Sequence, residues 1–219
     1  NLTDSVIIAA AAKFPEAIAS QDSKIIADKL IHRRDLLMKY AMKYYRFVSK
    51  TVSVTGSNKP EFFHIKNNPA GIELTVYKKN SKTDSATVMY HRILNDRETH
   101  ELRLFGLNGD DKFEIDKDVK TSMRIRIIGG KGNDTFNIKG NARNFVYDLS
   151  TEQNIFLNQN RTKKELSSDI AVIDYKHNGF QYNKTFFPLI NLGYNPEDQF
   201  LLGVGLSSHS YGFRKEPFA

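Results

Sequence analysis

Two short stretches of this chain combine residue types that could bind a metal ion or build a tight turn. They read GLNGDDKF over residues 106–113 and GGKGNDTF over residues 129–136. Both follow the pattern G-G-x-G-x-D-x-U-x, in which U is a large apolar residue, and the first departs from it only at Leu107. The other diagnostic positions recur at one constant offset. The two turns are therefore predicted to stack on each other as successive coils of a repeat.

Calcium is the metal that this pattern suggests, because calcium takes oxygen ligands from carboxylates, amides and carbonyls. The candidate ligands are Asp110, Asp111, Asn133 and Asp134. The alternative is structural: Asp111 and Asp134 accept hydrogen bonds from turn amides and hold each corner in place. With only two such turns in the stack, few ion sites could be complete. The sequence leaves both alternatives open and suggests no cofactor other than calcium.

Other chemistry has little support in the sequence. The absence of cysteine excludes disulfides, thiolate zinc sites and a cysteine nucleophile. The histidines are dispersed, without the H-E-x-x-H spacing of a metallohydrolase, and neither G-x-S-x-G nor a P-loop occurs. We therefore predict no catalytic residue and expect that this chain is not itself an enzyme.

The formal net charge of +7 raises the question of a nucleic-acid partner. Much of the excess positive charge lies on one predicted helix, at residues 32–34 and 39–50. No RNP, KH or zinc-finger signature accompanies it. The charge is interpreted as a solvated helix face or a contact with an anionic surface, and no nucleic-acid partner is expected.

The predicted fold class is α+β, mainly β, with N-terminal helices followed by antiparallel strands and a short β-solenoid-like stack. Helices are expected over residues 6–13 and 22–49, and the apolar spacing of the second predicts one buried stripe. From Thr51 the apolar period changes to two, which is typical of strands. A weaker third repeat strand is expected at residues 144–148, and residues 151–168 read as a polar loop. The remaining predicted strands are 62–65, 71–77, 86–92, 101–105, 113–115, 123–128 and 136–138.

The C-terminal part predicts a hairpin, with strands at residues 187–194 and 200–206 around a turn at 195–198. In the second strand, apolar residues alternate with small ones, and aromatic residues stand near the strand ends. This pattern is typical of an outer-membrane β-barrel hairpin. A soluble edge hairpin packed on the repeat stack would show nearly the same pattern.

Several phrases of the sequence carry a resemblance when they are taken together. They are RRDL (33–36), YYRFVSK (44–50), VTG (54–56), LRLFGLNGDD (102–111), RIRIIGGKGNDTF (124–136), GYNPED (193–198) and YGFRK (211–215). The combination is similar to the region that precedes the C-terminal surface-antigen β-barrel in large envelope proteins of Bacteroidetes. Many members of that family carry an N-terminal calcineurin-like metallophosphoesterase domain.

The resemblance implies a periplasmic or outer-membrane location in a Gram-negative bacterium. It also implies that the last hairpin begins a barrel, so that the partners are other domains of the same chain and the outer membrane. Phosphoesterase activity is not implied, because none of that domain's metal-binding motifs occurs here. Both ends of the chain look cut, and we interpret it as a segment of a longer protein.

The expected organisation has four parts. These are a helical segment (1–50), a β domain with the two Gly-Asp coils (51–150), a linker or loop with a strand (151–185) and the barrel-like hairpin (186–219). The expected function is a non-catalytic structural or recognition module that links an envelope enzyme domain to an outer-membrane barrel. The alternatives are a fragment of a metallophosphoesterase-type hydrolase and an adhesin-like calcium-binding module.

Overall fold

Strands dominate the computed structural model, which describes residues 2–79, 86–175, 184–197, 199–210 and 213–214. The fold is α+β and mainly β, as the sequence predicts. Parts of two predicted regions, residues 176–183 of the linker and 215–219 after the hairpin, lie outside the described residues. The elements are α1 (Asp4–Ala11), α2 (Glu16–Val48), β1 (Thr51–Thr55), β2 (Glu61–Asn68), β3 (Gly71–Lys79), β4 (Ala86–Leu94), β5 (Glu101–Asn108), β6 (Lys112–Ile115), β7 (Lys120–Lys131), β8 (Thr135–Ile138), β9 (Asn141–Leu149), β10 (Ile155–Gln159), β11 (Thr162–Ser167), a 3-10 helix (Ile170–Val172), β12 (Lys184–Asn195) and β13 (Gln199–Ser210).

The two N-terminal helices differ from the prediction in where the second begins and in what it buries. Helix α2 starts at Glu16, six positions earlier than expected, and Pro15 is its N-cap residue, since proline is tolerated at the N-terminal end of a helix but not in its interior. The predicted buried stripe is wrong: Leu37 and Tyr44 are 64% and 68% exposed. Only the N-terminal part of α2 is covered, where Ala27 packs against α1. Neither described helix combines the length and apolar character that a membrane crossing requires.

Two sheets enclose the main core, and the chain alternates between them. Within the described residues the first sheet has the order β1-β5-β7-β9-β11 and the second has the order β10-β8-β6-β2-β3-β4. Neighbours in the first sheet are parallel, as are β2, β6, β8 and β10 in the second. We call each first-sheet strand with the second-sheet strand that follows it a coil.

Antiparallel pairing is confined to two places in the described chain. Strands β3 and β4 extend the second sheet from β2 as an antiparallel meander. Strands β12 and β13 form a separate hairpin. Strand β1 pairs in parallel with β5, so the first strand after the helices already belongs to the parallel stack.

A column of phenylalanines runs through the core along the stacking direction. Phe63, Phe113, Phe136 and Phe156 come from four successive coils, and adjacent ring centroids are 4.7, 5.4 and 4.9 Å apart. The inner faces of the first-sheet strands close this core with aliphatic side chains such as Leu104 and Ile127. Each coil buries its apolar face on the next, which is how repeat units of this size are stabilised.

Residues 151–168 are not the loop that their polar composition suggested. They contain β10 and β11, which pair in parallel with β8 and β9 and continue both sheets by one more strand. The polar composition reflects the position of these strands at the end of the stack, where one side of each strand has no neighbour within the described residues. Ile155 and Leu157 of β10 are accordingly more than half exposed.

Candidate functional site: the glycine–aspartate corner

The predicted turns lie one above the other, at the corner where each first-sheet strand passes into the second sheet. The Asp111 backbone N–H donates a hydrogen bond to Asp134 Oδ1 at 2.8 Å, across an offset of 23 residues. The Glu61 N–H donates to Asp111 Oδ1 at 2.7 Å, and the Asp134 N–H donates to Asn154 Oδ1 at 2.7 Å. One side chain per coil therefore fixes the backbone of the coil before it. Hydrogen bonds between neighbouring coils thus join the two predicted turns directly.

A second ladder runs along the outside of the same corner. The Asn133 N–H donates to Asp110 Oδ1 at 2.8 Å, and the Gln153 N–H donates to Asn133 Oδ1 at 2.9 Å. These bonds run from each coil to the one before it, opposite to the inner ladder. The structural role predicted for the Gly-Asp turns is thus supplied by bonds between coils.

The glycines at the start of each turn make room for the inner carboxylates. A Cβ atom built on Gly106 would overlap Asp111 Oδ2, and one built on Gly129 would overlap Oδ2 of both Asp134 and Asp148. Tyr147 of β9 pairs with Ile128 of β7. The residues that follow them, Asp148 and Gly129, therefore occupy equivalent positions in adjacent coils. Two carboxylate oxygens from adjacent coils therefore share the space in front of Gly129.

The three inner carboxyls are fully buried, and their Oδ2 atoms have no hydrogen-bond partner in the described structure. Burial raises the pKa of Asp111 to about 8, of Asp134 to about 7 and of Asp148 to about 8. The charged groups that raise these pKa values further are carboxylates as well, including Glu61 and Glu152. We call Asp111, Asp134 and Asp148 the acid column. Its members favour the protonated form, because burial and the neighbouring carboxylates disfavour the charged form.

The predicted calcium ligands do not form one oxygen cage in this geometry. Asp110 and Asn133 lie on the outer ladder, with one side-chain oxygen of each occupied by an amide. Asp111 and Asp134 point to the inside of the corner. Calcium takes six to eight oxygens, and no group of three or more His, Cys, Asp or Glu residues in the described chain is placed to hold a metal ion. Calcium binding stays a prediction.

A melting experiment tests calcium directly. We expect the melting temperature at neutral pH to shift by less than about 2 °C between excess calcium and excess chelator, because the four predicted ligands do not converge. An ion that bound the folded chain at a hundred times its dissociation constant would add about 2.7 kcal/mol to the free energy of unfolding. A calcium-dependent rise that magnesium does not reproduce would instead assign a calcium site to this corner.

Sequence reasoning missed Asp148, together with Glu61 and Asn154, which extend the inner ladder at both ends. Asn154 follows Asp134 by 20 residues, whereas Asp134 follows Asp111 by 23, so the coil that contains Asn154 is the shorter one. An offset of 20 residues places Asn154 at the aspartate position, whereas the pairing of Ile128 with Tyr147 has an offset of 19 and places Asp148 beside Gly129. The weak third repeat thus carried a readable signal.

Two of the described histidines pair with carboxylates away from the corner. His64 Nε2 lies 2.9 Å from Asp116 Oδ1, and His91 Nε2 lies 3.0 Å from Glu73 Oε1, on different strands.

Comparison with protein-family models, with curated proteins and with solved structures finds no match for this chain.

Proposed function

We propose that this chain is a non-catalytic structural module of a bacterial cell envelope, in which a short β-solenoid connects an enzyme domain to an outer-membrane barrel. Two features support the solenoid. Strands alternate between two sheets from β5 to β11, and equivalent residues of successive coils lie in register. The phenylalanine column fills the interior of the stack, where apolar burial stabilises it. The resemblance to Bacteroidetes envelope proteins is part of this proposal.

The hairpin β12–β13 is the observation that carries the membrane part of the proposal. One of its faces is apolar along most of its length, and its residues are exposed: Leu192 by 81%, Phe200 by 87% and Val204 by 76%. The other face carries Asn191, Gly203 and other small or polar residues among a few apolar ones. Each strand has 12 residues, and a tilted barrel strand needs about 9–11 to cross a bilayer.

The end of the hairpin near its turn carries an aromatic pair. Tyr194 and Phe200 are cross-strand partners, with ring centroids 5.1 Å apart. Aromatic residues at both interfaces are typical of transmembrane barrels. Further strands would have to pair with the two edges of the hairpin, because open sheet edges do not occur in the lipid region.

The chain after the hairpin returns to the stack, which supports a linking role. Arg214 Nη1 donates to the carbonyl oxygens of Ala171 and Val172 at 2.9 and 2.7 Å. The Phe213 ring lies 4.6 Å from the guanidinium of Arg103 and 4.5 Å from that of Arg126, on the outer face of the first sheet. The hairpin is thus tied to the solenoid at its C-terminal side.

Two neighbouring residues on opposite faces of β12 provide a matched test. We expect Ile190→Arg to weaken binding to uncharged phosphatidylcholine vesicles at least about tenfold, because Ile190 lies at the middle of β12 on the apolar face and an arginine on the lipid face costs about 2–4 kcal/mol at mid-membrane depth. Asn191→Arg adds the same charge on the other face and should have little effect. Sedimentation with vesicles measures both. Equal losses in the two variants, or no binding by the unaltered chain, would remove the membrane part of the proposal.

A separate assay addresses the hydrolase alternative. Hydrolysis of a phosphodiester by the purified chain with divalent metals, above a metal-only control, would overturn the non-catalytic assignment.

A further inference from the structure

An open cleft of about 370 Å³ lies at the corner opposite the Gly-Asp turns, where β10 passes into β11. It is lined by the basic residues Arg143, Arg161 and Lys163 and by Phe145, Gln159 and Thr162, with no carboxylate among its lining residues. The volume is within the range of about 300–1,000 Å³ that ligand pockets occupy. The positive charge of the lining residues favours an anionic ligand.

Two strands and a turn bring positive charges together at this cleft. Arg124 of β7 pairs with Arg143 of β9. Arg161 lies in the turn before β11, directly before Thr162, which pairs with Asn144, the residue after Arg143. Arg143 and Arg161 are exposed, so solvent screens most of their repulsion, and a bound anion would offset the rest.

The nearby carboxylates form ion pairs with other basic residues. Glu101 lies 3.1 Å from Arg124, and Glu165 lies 2.6 Å from Lys163. Neither Arg143 nor Arg161 has an ion pair within the described chain. Their positions are nevertheless defined, because Arg161 Nη1 donates to Asn141 Oδ1 at 3.1 Å and the Arg143 guanidinium lies 5.5 Å from the Phe145 ring centroid.

We propose that Arg143 and Arg161 bind the phosphate group of an anionic ligand. One guanidinium comes from β9 and the other from the turn before β11, and each can present a planar pair of N–H donors to phosphate oxygens, the geometry in which arginine exceeds lysine. Gln159 and Thr162 supply neutral hydrogen-bonding groups at the rim. The phosphate can belong to a small soluble molecule or to a phospholipid headgroup. The inference goes beyond the proposed structural role and does not depend on it.

The test compares two double variants that remove the same charge. Arg143→Gln with Arg161→Gln alters the cleft, whereas Arg97→Gln with Lys117→Gln alters exposed turns elsewhere. Titration calorimetry with inorganic phosphate at low salt measures binding to each. We expect the cleft variant to bind phosphate at least about tenfold more weakly and the control to bind like the unaltered chain. Equal melting temperatures of the variants confirm that folding is retained.

Vesicles distinguish the two sources of the phosphate. A preference for phosphatidylglycerol over phosphatidylcholine vesicles that is lost in the cleft variant would assign a lipid headgroup. Binding of inorganic phosphate without that preference would assign a soluble ligand. The proposal is overturned if the control variant loses as much affinity as the cleft variant, or if the unaltered chain binds neither phosphate nor phosphatidylglycerol vesicles. The hairpin test uses uncharged lipid, so the two failures are separable.

Discussion

Replacing Gly132 by alanine should destabilise the fold by about 3 kcal/mol or more. Gly132 has a φ of +145°, in a region that L-residues rarely adopt. A Cβ atom there would lie 2.6 Å from the carbonyl carbon of Gly109 in the preceding coil. That neighbour is backbone, so it cannot swing away as a side chain could. Chemical denaturation followed by circular dichroism measures the change.

Gly205→Ala is the matched control for this substitution. Gly205 lies in β13, and a Cβ there would meet the Leu189 Cβ at 3.6 Å, which is ordinary van der Waals contact. We expect a change of less than about 0.5 kcal/mol, as for surface substitutions in general. If Gly132→Ala were as mild as Gly205→Ala, direct stacking of the two turns would be wrong. A similar loss at Gly205 would show that the hairpin contributes to the same cooperative unit.

The repeat could be predicted because one offset governs both its turn residues and its core residues. The Phe113–Phe136 pairing follows from the same spacing that relates the two turns. Leu107 shows how stacking overrides residue preference. It stands where the pattern has glycine, yet its φ is +80°, close to the +115° of Gly130. The coil imposes the conformation, and the lapse in the motif does not break the stack.

The parts that could not be predicted depend on contacts distant in sequence. The apolar spacing of α2 indicates an amphipathic helix but not whether anything covers it, and Tyr44 is exposed. The strands of residues 151–168 are polar because they end the stack, so composition alone suggested a loop. In the sequence Asp148 resembles an ordinary strand residue, and only the pairing of β7 with β9 places it beside Gly129.

Raising the pH from about 5 to about 9 should lower the free energy of unfolding by at least about 3 kcal/mol, through the acid column. The unfolded chain binds these protons only near the ordinary pKa of 3.8, whereas the folded coils hold them to about pH 7 or 8. Between these values the folded state binds more protons, so its stability falls as the pH rises. One pKa unit corresponds to about 1.4 kcal/mol, so even a fraction of the combined shifts suffices. Urea denaturation at several pH values measures the slope.

Asp134→Asn identifies the source of that slope. The asparagine Oδ1 can still accept the Asp111 N–H, and its amide nitrogen takes the place of Oδ2, the atom that shares the space in front of Gly129 with Asp148 Oδ2. The variant should therefore match or exceed the unaltered chain in stability at pH 9 and show a shallower pH dependence. Asp118→Asn removes an exposed carboxylate from the turn before β7 and should leave the slope unchanged. A slope as steep in Asp134→Asn as in the unaltered chain would show that Asp134 does not contribute to it. A slope abolished by calcium would instead show that a cation, and not protons, neutralises these carboxylates.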